Sequence, residues 1–385
     1  MKILIIAPQP FYQERGTPIA VHLLTKTLSD LGHNIDLLVY HEGMDIPCPD
    51  NVKIHRIPKP DSVGNIGPGL SLDKLRCDRV MLSMALSMAA NNKYDLVHAV
   101  EEGVFIAMRI KKQFGTRYIY DMDSSMSQQI IEKLPWMKIF SGVMGSFETA
   151  AIKQAELVVS VCDSLADIAK SAGAKRVEIL RDVSLLNCKV LPAETTKAES
   201  PSLRIRGVCL MYVGNLEEYQ GIDLMLESLA IAMKKGTKAT LVIVGGTPAH
   251  IDKYTKKATE LGIVENVQFI GPKPTSMMAH LFEVADVLLS PRIKGINTPM
   301  KIYSYLESGK AVLATKMPTH TQVLNDSVAM LCAPDSSSFA EGIHKLCTDH
   351  ALRQQLGSSA RALANKEYTY EAFAKNVKRI FGSWK

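Results

Sequence analysis

The chain is built twice over from one repeating pattern: a short, wholly apolar run, then a loop, then a segment with apolar residues at helical spacing. KILIIA opens the first series, followed by PQPFYQERGTP, AVHLLTKTLSDLG and a second apolar run, IDLLVY. Val21, Leu23, Leu24, Leu28 and Leu31 give the helical segment an inward face, and Gly32 stops it. YDLVHAV, RYIYDMD, ELVVSVC and RVEILRDVS continue the series. A polar stretch, 191–207, then brings two prolines and no apolar periodicity, as a linker does. After it the alternation starts afresh with VCLMYVG, IDLMLESLAIAMKKG, ATLVIVGG and NVQFIGPKP. Apolar runs this short, alternating with helices, are strands buried on both faces of a parallel sheet. Two such series predict an α/β protein of two doubly wound, Rossmann-like domains facing one another across a cleft. The domains are expected at 1–195 and 203–369, with a last helix, 370–385, expected to pack back on the first.

Composition narrows the function classes. No apolar run approaches the roughly 20 residues needed to span a bilayer, and MKILIIAPQP meets proline too soon for a secretory signal. Seven cysteines, scattered without a CxxC pair, argue for reduced thiols and a cytoplasmic setting. Residues 1–195 hold 22 basic and 22 acidic side chains, whereas 196–385 hold 23 and 17, so the net charge of +6 lies in the second half. That balance suits a phosphorylated small molecule there and is too diffuse for nucleic acid.

The densest chemistry lies between Leu288 and Lys316. An apolar run ends at Ser290-Pro291, a loop follows with Arg292, Lys294 and Gly295, and Asn297-Thr298-Pro299 is expected to open a helix. Thr298 suits the N-cap, Pro299 the first helical position, and Gly309 the end. A strand, a basic loop and a helix N-terminus can together hold a diphosphate; the same order of elements also describes an ordinary crossover with a solvated loop. In the first half no GxGxxG is present, and Arg15-Gly16-Thr17 is the small-residue turn at the first helix, so a dehydrogenase is disfavoured. His98, Glu101, Glu102, Asp121 and Asp123 stand at strand C-terminal ends, where open α/β sheets place ligands. Asp121-Met122-Asp123 is a DxD, but the pattern is common, and Ser125 with Gln128 reads as a capping box, so no metal site is assigned. The Met-rich VMLSMALSMAA reads as core filler. Residues 133–155 mix Trp136, Ile139, Phe140, Val143 and Met144 with Lys133, Lys138 and Lys153. Such a surface either rests peripherally on anionic lipid or, more commonly, covers its own domain.

MKILIIAP, RGTP, LSDLGHNIDLLVY, ELVVSVCDSLADIA, YVGNLEEYQGIDLMLESL, LVIVGG, NVQFIGPKP, ADVLLSPR and YLESGKAVLAT, in this order and spacing, resemble glycosyltransferase family 4 (group 1) over nearly the whole chain. The resemblance implies the GT-B fold, a retaining and metal-independent enzyme with no cofactor, and a nucleotide-sugar clamped by the second domain. By this likeness Gly16 and Thr17 approach the donor phosphate, and Gly214, Gly245, Gly271 and Lys273 line the donor site. The family's diphosphate-binding Arg and Lys fall at Asn215 and Gln220, which carry no charge. Its two glutamates, counted back from Gly309-Lys310, fall at Ile296 and Ser304, and Glu307 comes one helical turn late. The resemblance therefore leaves a hydroxyl at Ser304 for the ribose, and Asn297, Thr298, Pro299 or nearby backbone N–H groups for the sugar. Pro299-Met300-Lys301 resembles a Pro-x-Lys of related members, so Lys301 and Arg292, with Asp121 in the cleft, are the expected catalytic residues. Glu102 and Asp123 are expected at the acceptor.

The function this implies is transfer of a hexosyl group from a nucleotide-diphosphate sugar to a saccharide or lipid-linked acceptor, in cell-envelope or exopolysaccharide synthesis. The expected place is the cytoplasm or the inner membrane face. The alternatives are a catalytically degenerate sugar-nucleotide-binding module of the same fold and a nucleotide-sugar epimerase.

Overall fold

The computed structural model describes the chain except residues 62, 65, 67–70, 126–140, 187, 189–190, 192–201, 383 and 385 and the side chains of 141–144. The chain forms two compact units. Met1–Arg181 and Phe373–Lys385 belong to the first, Asp182–Lys189 and Ala193–Ala372 to the second.

The first unit carries a seven-stranded parallel sheet in the order β3-β2-β1-β4-β5-β6-β7. Its strands are β1 (Lys2–Ala7), β2 (Asn34–Val39), β3 (Val52–Arg56), β4 (Leu96–Val100), β5 (Tyr118–Met122), β6 (Leu157–Ser160) and β7 (Val177–Ile179). Its helices are α1 (Gly16–Asp30), α2 (Leu72–Asn91), α3 (Gly103–Phe114), α4 (Ser141–Gln154) and α5 (Asp163–Ser171). β1 and β4 are buried almost throughout, as central parallel strands covered on both faces must be. The Met-rich helix α2 buries Cys77, Met81, Ala85 and Ala89, a narrow stripe at four-residue spacing.

The second unit carries six parallel strands in the order β10-β9-β8-β11-β12-β13. They are β8 (Val208–Val213), β9 (Ala239–Val244), β10 (Val267–Gly271), β11 (Val287–Ser290), β12 (Ala311–Thr315) and β13 (Met330–Cys332). The helices are α6 (Ile222–Lys234), α7 (Pro248–Glu260), α8 (Met278–Val284), α9 (Lys301–Ser308), α10 (Pro318–Thr321), α11 (Ser336–Thr348) and α12 (His350–Glu367). Alternate residues of β8 feed opposite cores. Leu210 and Tyr212 pack with α6, α7 and α11, while Cys209 and Met211 pack with α8, α9 and α12.

The final helix, α13 (Tyr370–Gly382), buries Phe373, Val377, Ile380 and Phe381. Phe381 lies 5.9 Å from the His98 ring, and Arg379 pairs with Glu178 at 2.8 Å, both within the first unit. The chain passes to the second unit at Asp182, ahead of the expected linker. Ser184 N–H donates to Tyr368 O at 3.1 Å and Leu185 N–H to Ser304 Oγ at 3.1 Å, which fasten this segment there.

Of the basic amphipathic stretch, residues 133–140 and the side chains of 141–144 lie outside the described residues, as does Gln128 of the expected capping box. Ser125 Oγ donates to Glu148 at 3.2 Å. Among the described residues no helix is long and apolar enough to cross a membrane.

Candidate active site

In the second unit, β8 pairs with β9 on one side and β11 on the other, so the loops leaving β8 and β11 diverge at a topological switch point. They are stitched together by Ile293 N–H donating to Tyr219 O at 3.0 Å. Gly214 N–H donates to Val244 O at 3.0 Å and Gly245 N–H to Gly271 O at 2.7 Å, which brings three of the expected donor-site glycines into one run of strand ends.

The charge along this edge is one-sided. The loops leaving β9, β10, β11 and β12 contain no Asp or Glu, and the loop leaving β8 has only Glu217 and Glu218, both exposed. Lys273, Arg292, Lys294, Lys301 and Lys316 stand on the same loops or at the start of α9. An edge rich in cations and poor in acids attracts an anion.

Lys301 is the focus. Its Nζ lies 4.0 Å from the centre of the buried Tyr212 ring and 3.4 Å from Gln220 Oε1, and a Cβ on Gly214 would stand 3.3 Å from it. Among the described residues no carboxylate pairs with it. Burial pushes its pKa well below the ordinary lysine value, and the Arg292 charge adds to the shift. A desolvated ammonium without a counter-charge is a site waiting for an anion. Its position follows from the helix. Tyr305, one turn along the same face, accepts Val213 N–H at 2.9 Å and docks α9 on the end of β8.

The structure corrects the expected helix start and gives partners to two expected site residues. The helix starts at Lys301 behind Met300, two residues later than the Thr298-Pro299 signal suggested, and the Thr298 hydroxyl is buried without a partner rather than capping. A cap contributes about 1 kcal/mol. α9 also buries Ile302, Tyr303, Tyr305 and Leu306, at roughly 1.5–3 kcal/mol each, so packing decides where the helix sits. Arg292 is not a free cation. Its guanidinium lies over the Tyr219 ring at 5.2 Å and donates to Lys294 O, Asn297 O and Asn297 Oδ1, so it organises the loop while adding charge to it. The Ser304 hydroxyl accepts Leu185 N–H and keeps its own proton to donate.

Asn215, exposed, is engaged within its own loop. Its Oδ1 accepts Glu217 N–H at 3.3 Å, and its Nδ2 donates to the Tyr219 hydroxyl at 3.3 Å. Gln220 steers Lys301 rather than supplying charge. Pro299 O accepts Ile302 N–H in the first turn of α9.

The first unit has its own switch point, between β1 and β4. Gly16 and Thr17 open α1 here, which has no acid in its first turn. Asp121 Oδ2 lies 2.8 Å from Nε2 of the fully buried His98, and Glu102 is paired with Lys74. Asp123 lies just past β5. Glu101, placed at a strand end by the sequence but given no role there, has the left-handed φ of 46° that a non-glycine residue rarely adopts. Its carboxylate accepts from Ser124 Oγ at 2.8 Å. Burial, then the neighbouring Glu102, pushes its pKa up to about 7. A half-buried acid in a left-handed backbone conformation at a strand end is a candidate for function, and backbone angle is not visible in sequence.

Because Glu101 holds its proton to about pH 7 when folded but only to its ordinary value of 4.5 when unfolded, stability falls as pH rises through that window. Glu101→Gln should therefore stabilise the protein at pH 8, by on the order of 2–3 kcal/mol, and leave it unchanged near pH 4.5. Melting curves of both proteins at the two pH values check this; equal curves at pH 8 would remove the buried acid.

Residues 197–363 match the family described as glycosyl transferases group 1. The chain is 21% identical over 239 residues to a D-inositol 3-phosphate glycosyltransferase of Corynebacterium diphtheriae, covering 59% of this chain and 55% of that one. It spans about half the length of the curated relatives it matches. Among solved structures it is similar to sucrose-phosphate synthase from Thermosynechococcus elongatus, with a TM-score of 0.78, 17% identity and coverage of 99% and 98%. It is also similar to Anabaena HepE in complex with UDP-glucose, with a TM-score of 0.73, 14% identity and full coverage of both chains. At these identities the likeness shows a common fold.

Proposed function

We propose, from a chain of GT-B fold whose residues 197–363 match the group 1 glycosyl transferases, that the protein moves a hexosyl group from a nucleotide-diphosphate sugar to a saccharide or lipid-linked acceptor, with retention and without metal. The observation that carries the reading is Lys301, a desolvated cation without a carboxylate partner at the start of α9, on a sheet edge whose other loops are almost free of acids. Breaking the anomeric C–O bond leaves new negative charge on the departing diphosphate. Lys301, the charge of Arg292 and the backbone N–H groups of the loop before α9 stabilise that charge where it forms. The donor is held by the second unit. Gly214, Gly245, Gly271 and Lys273 line the edge that would meet it.

Acceptor hydroxyls fall to the first unit's strand-end carboxylates: Glu102, Asp121 held by His98, Asp123, and the protonated Glu101. HepE, solved with UDP-glucose, supports a UDP-sugar as the first donor to try. The setting proposed is polysaccharide or cell-envelope synthesis on the cytoplasmic side.

The test is a set of UDP-, GDP- and ADP-sugars. A donor at 100 times its Kd should add about 2.7 kcal/mol to stability, visible as a rise in melting temperature. The same donor should then be consumed with an acceptor and give a product of unchanged anomeric configuration by NMR. Binding without turnover would favour a sugar-nucleotide-binding module, a reading motivated by the uncharged Asn215 and Gln220. No binding to any of them would end the transferase reading.

A further inference from the structure

The loop between β11 and α9 has its carbonyl oxygens taken up by side chains, several of them from one segment. Thr315 Oγ1 donates to Arg292 O at 2.5 Å, Gln322 Nε2 to Ile296 O at 2.7 Å, and Thr319 Oγ1 to Asn297 O at 2.6 Å. Arg292 Nε takes Lys294 O at 2.7 Å, and Arg292 also occupies Asn297 Oδ1. The backbone N–H groups of Lys294, Gly295, Asn297 and Thr298 have no acceptor among the described residues, and the Thr298 hydroxyl, 3% exposed, has none either. A loop with the carbonyls of Arg292, Lys294, Ile296 and Asn297 engaged and these N–H groups idle favours oxyanions over hydroxyl groups.

His320, fully buried at the middle of the segment, fixes it. Its Nδ1 lies 2.8 Å from Thr315 O and must carry the proton, since a carbonyl only accepts; Nε2, 2.8 Å from Ser290 Oγ, is then the acceptor. Burial holds the imidazole neutral, pushing its pKa down to about 3, with Lys301 and Arg292 adding to the shift. The ring thus ties the end of β11 to the end of β12 in one tautomer.

We propose that Thr315–Gln322 is a positioning clamp: by engaging the carbonyls of Arg292, Asn297 and Ile296, Thr315, Thr319 and Gln322, with His320 as their anchor, turn that loop toward an oxyanion of the donor. The inference rests on the proposed function, with the donor's phosphate or an acid on its sugar as the oxyanion. These side chains act through the loop and touch no substrate.

The test uses the full chain and isothermal titration with UDP, GDP, ADP and their nucleosides, choosing the base that binds. Thr319→Val and Gln322→Met each release one carbonyl, and each should weaken the diphosphate three- to tenfold. The nucleoside should keep its affinity, and the melting temperature should stay within about 2 °C. His320→Leu should weaken the diphosphate further; if it does not fold, the other two variants decide. Substituting a UDP-uronate for UDP-glucose separates the two sources of oxyanion, since a loop facing the sugar acid shows the loss with the uronate and not with UDP alone. Either pattern supports the clamp. Equal weakening of nucleoside and diphosphate, or none at all with every ligand, overturns it. If the wild type binds no diphosphate, the transferase reading falls and the clamp with it. If Lys301→Met abolishes diphosphate binding while the clamp variants bind every ligand normally, the clamp alone falls.

Discussion

Lys301→Met should lower kcat/KM by a factor of 10² to 10³, about 3–4 kcal/mol, the loss expected when one preorganised partner of a developing oxyanion is removed. Methionine keeps most of the side-chain length against Tyr212, so the loss reports charge rather than packing. Lys301→Arg should not restore activity, because the larger guanidinium does not fit where a compact ammonium is enclosed by Tyr212, Gln220 and Gly214. Charge on the departing group grows in the transition state, so kcat should fall more than donor affinity does. The wild-type affinity for nucleoside diphosphate should also decline on raising the pH below the range in which a free lysine titrates, since the Lys301 pKa is depressed. Lys301→Met should lose that dependence. Wild-type kinetics in Lys301→Met would take this residue out of the reaction.

The second large effect concerns the floor of the same site. Gly221, with φ of 75°, lies where a Cβ would approach Pro291 O to 2.0 Å, between the two loops that diverge at the switch point. Gly221→Ala adds backbone strain to a collision with backbone that cannot rotate away. The combined loss should reach about 3 kcal/mol or more, lowering the melting temperature by roughly 6–12 °C for a unit of this size. Diphosphate binding should be lost with it, because relief requires moving the Pro291–Arg292 loop. Gly236→Ala is the control: its φ is 87°, yet nothing lies within 4 Å of the added carbon. It should show the strain alone, about 1–2 kcal/mol, with binding intact. Similar losses in the two variants would mean that the loops separate freely.

Much of the architecture was legible because burial on both faces of a parallel sheet leaves a mark on composition. KILIIA, VCLMYV and ATLVIV are almost uninterrupted apolar runs, and each is a strand. The edges were harder. RVEILRDVS reads as a long strand, but only Val177–Ile179 pairs, at the sheet margin where no second neighbour extends the ladder. The start of α9 was misread because Thr-Pro is a sound local cap signal, and tertiary docking through Tyr305 overrode it.

The site was legible in its residue types and not in their directions. Lys301 was singled out because Pro299-Met300-Lys301 resembles a Pro-x-Lys of related family members, whereas Tyr212 beneath it looked like any strand residue. Arg292 reads as a presented charge until its contacts with Lys294 and Asn297 are seen. Glu101 could not be told from Glu102 without its backbone angle. His320 carried no motif, because its role lies in which carbonyl and which hydroxyl flank it in three dimensions.

The return of α13 to the first unit has a consequence for biosynthesis. Phe373, Val377, Ile380, Phe381 and Trp384 are buried, and Arg117 rests over the Trp384 ring at 5.4 Å. The half of the protein that leaves the ribosome first therefore waits, with an apolar groove uncovered, until the other half has been translated. Nascent chains stalled before residue 373 should be better chaperone clients than their length suggests, and supplying the α13 peptide in trans should quench that exposure.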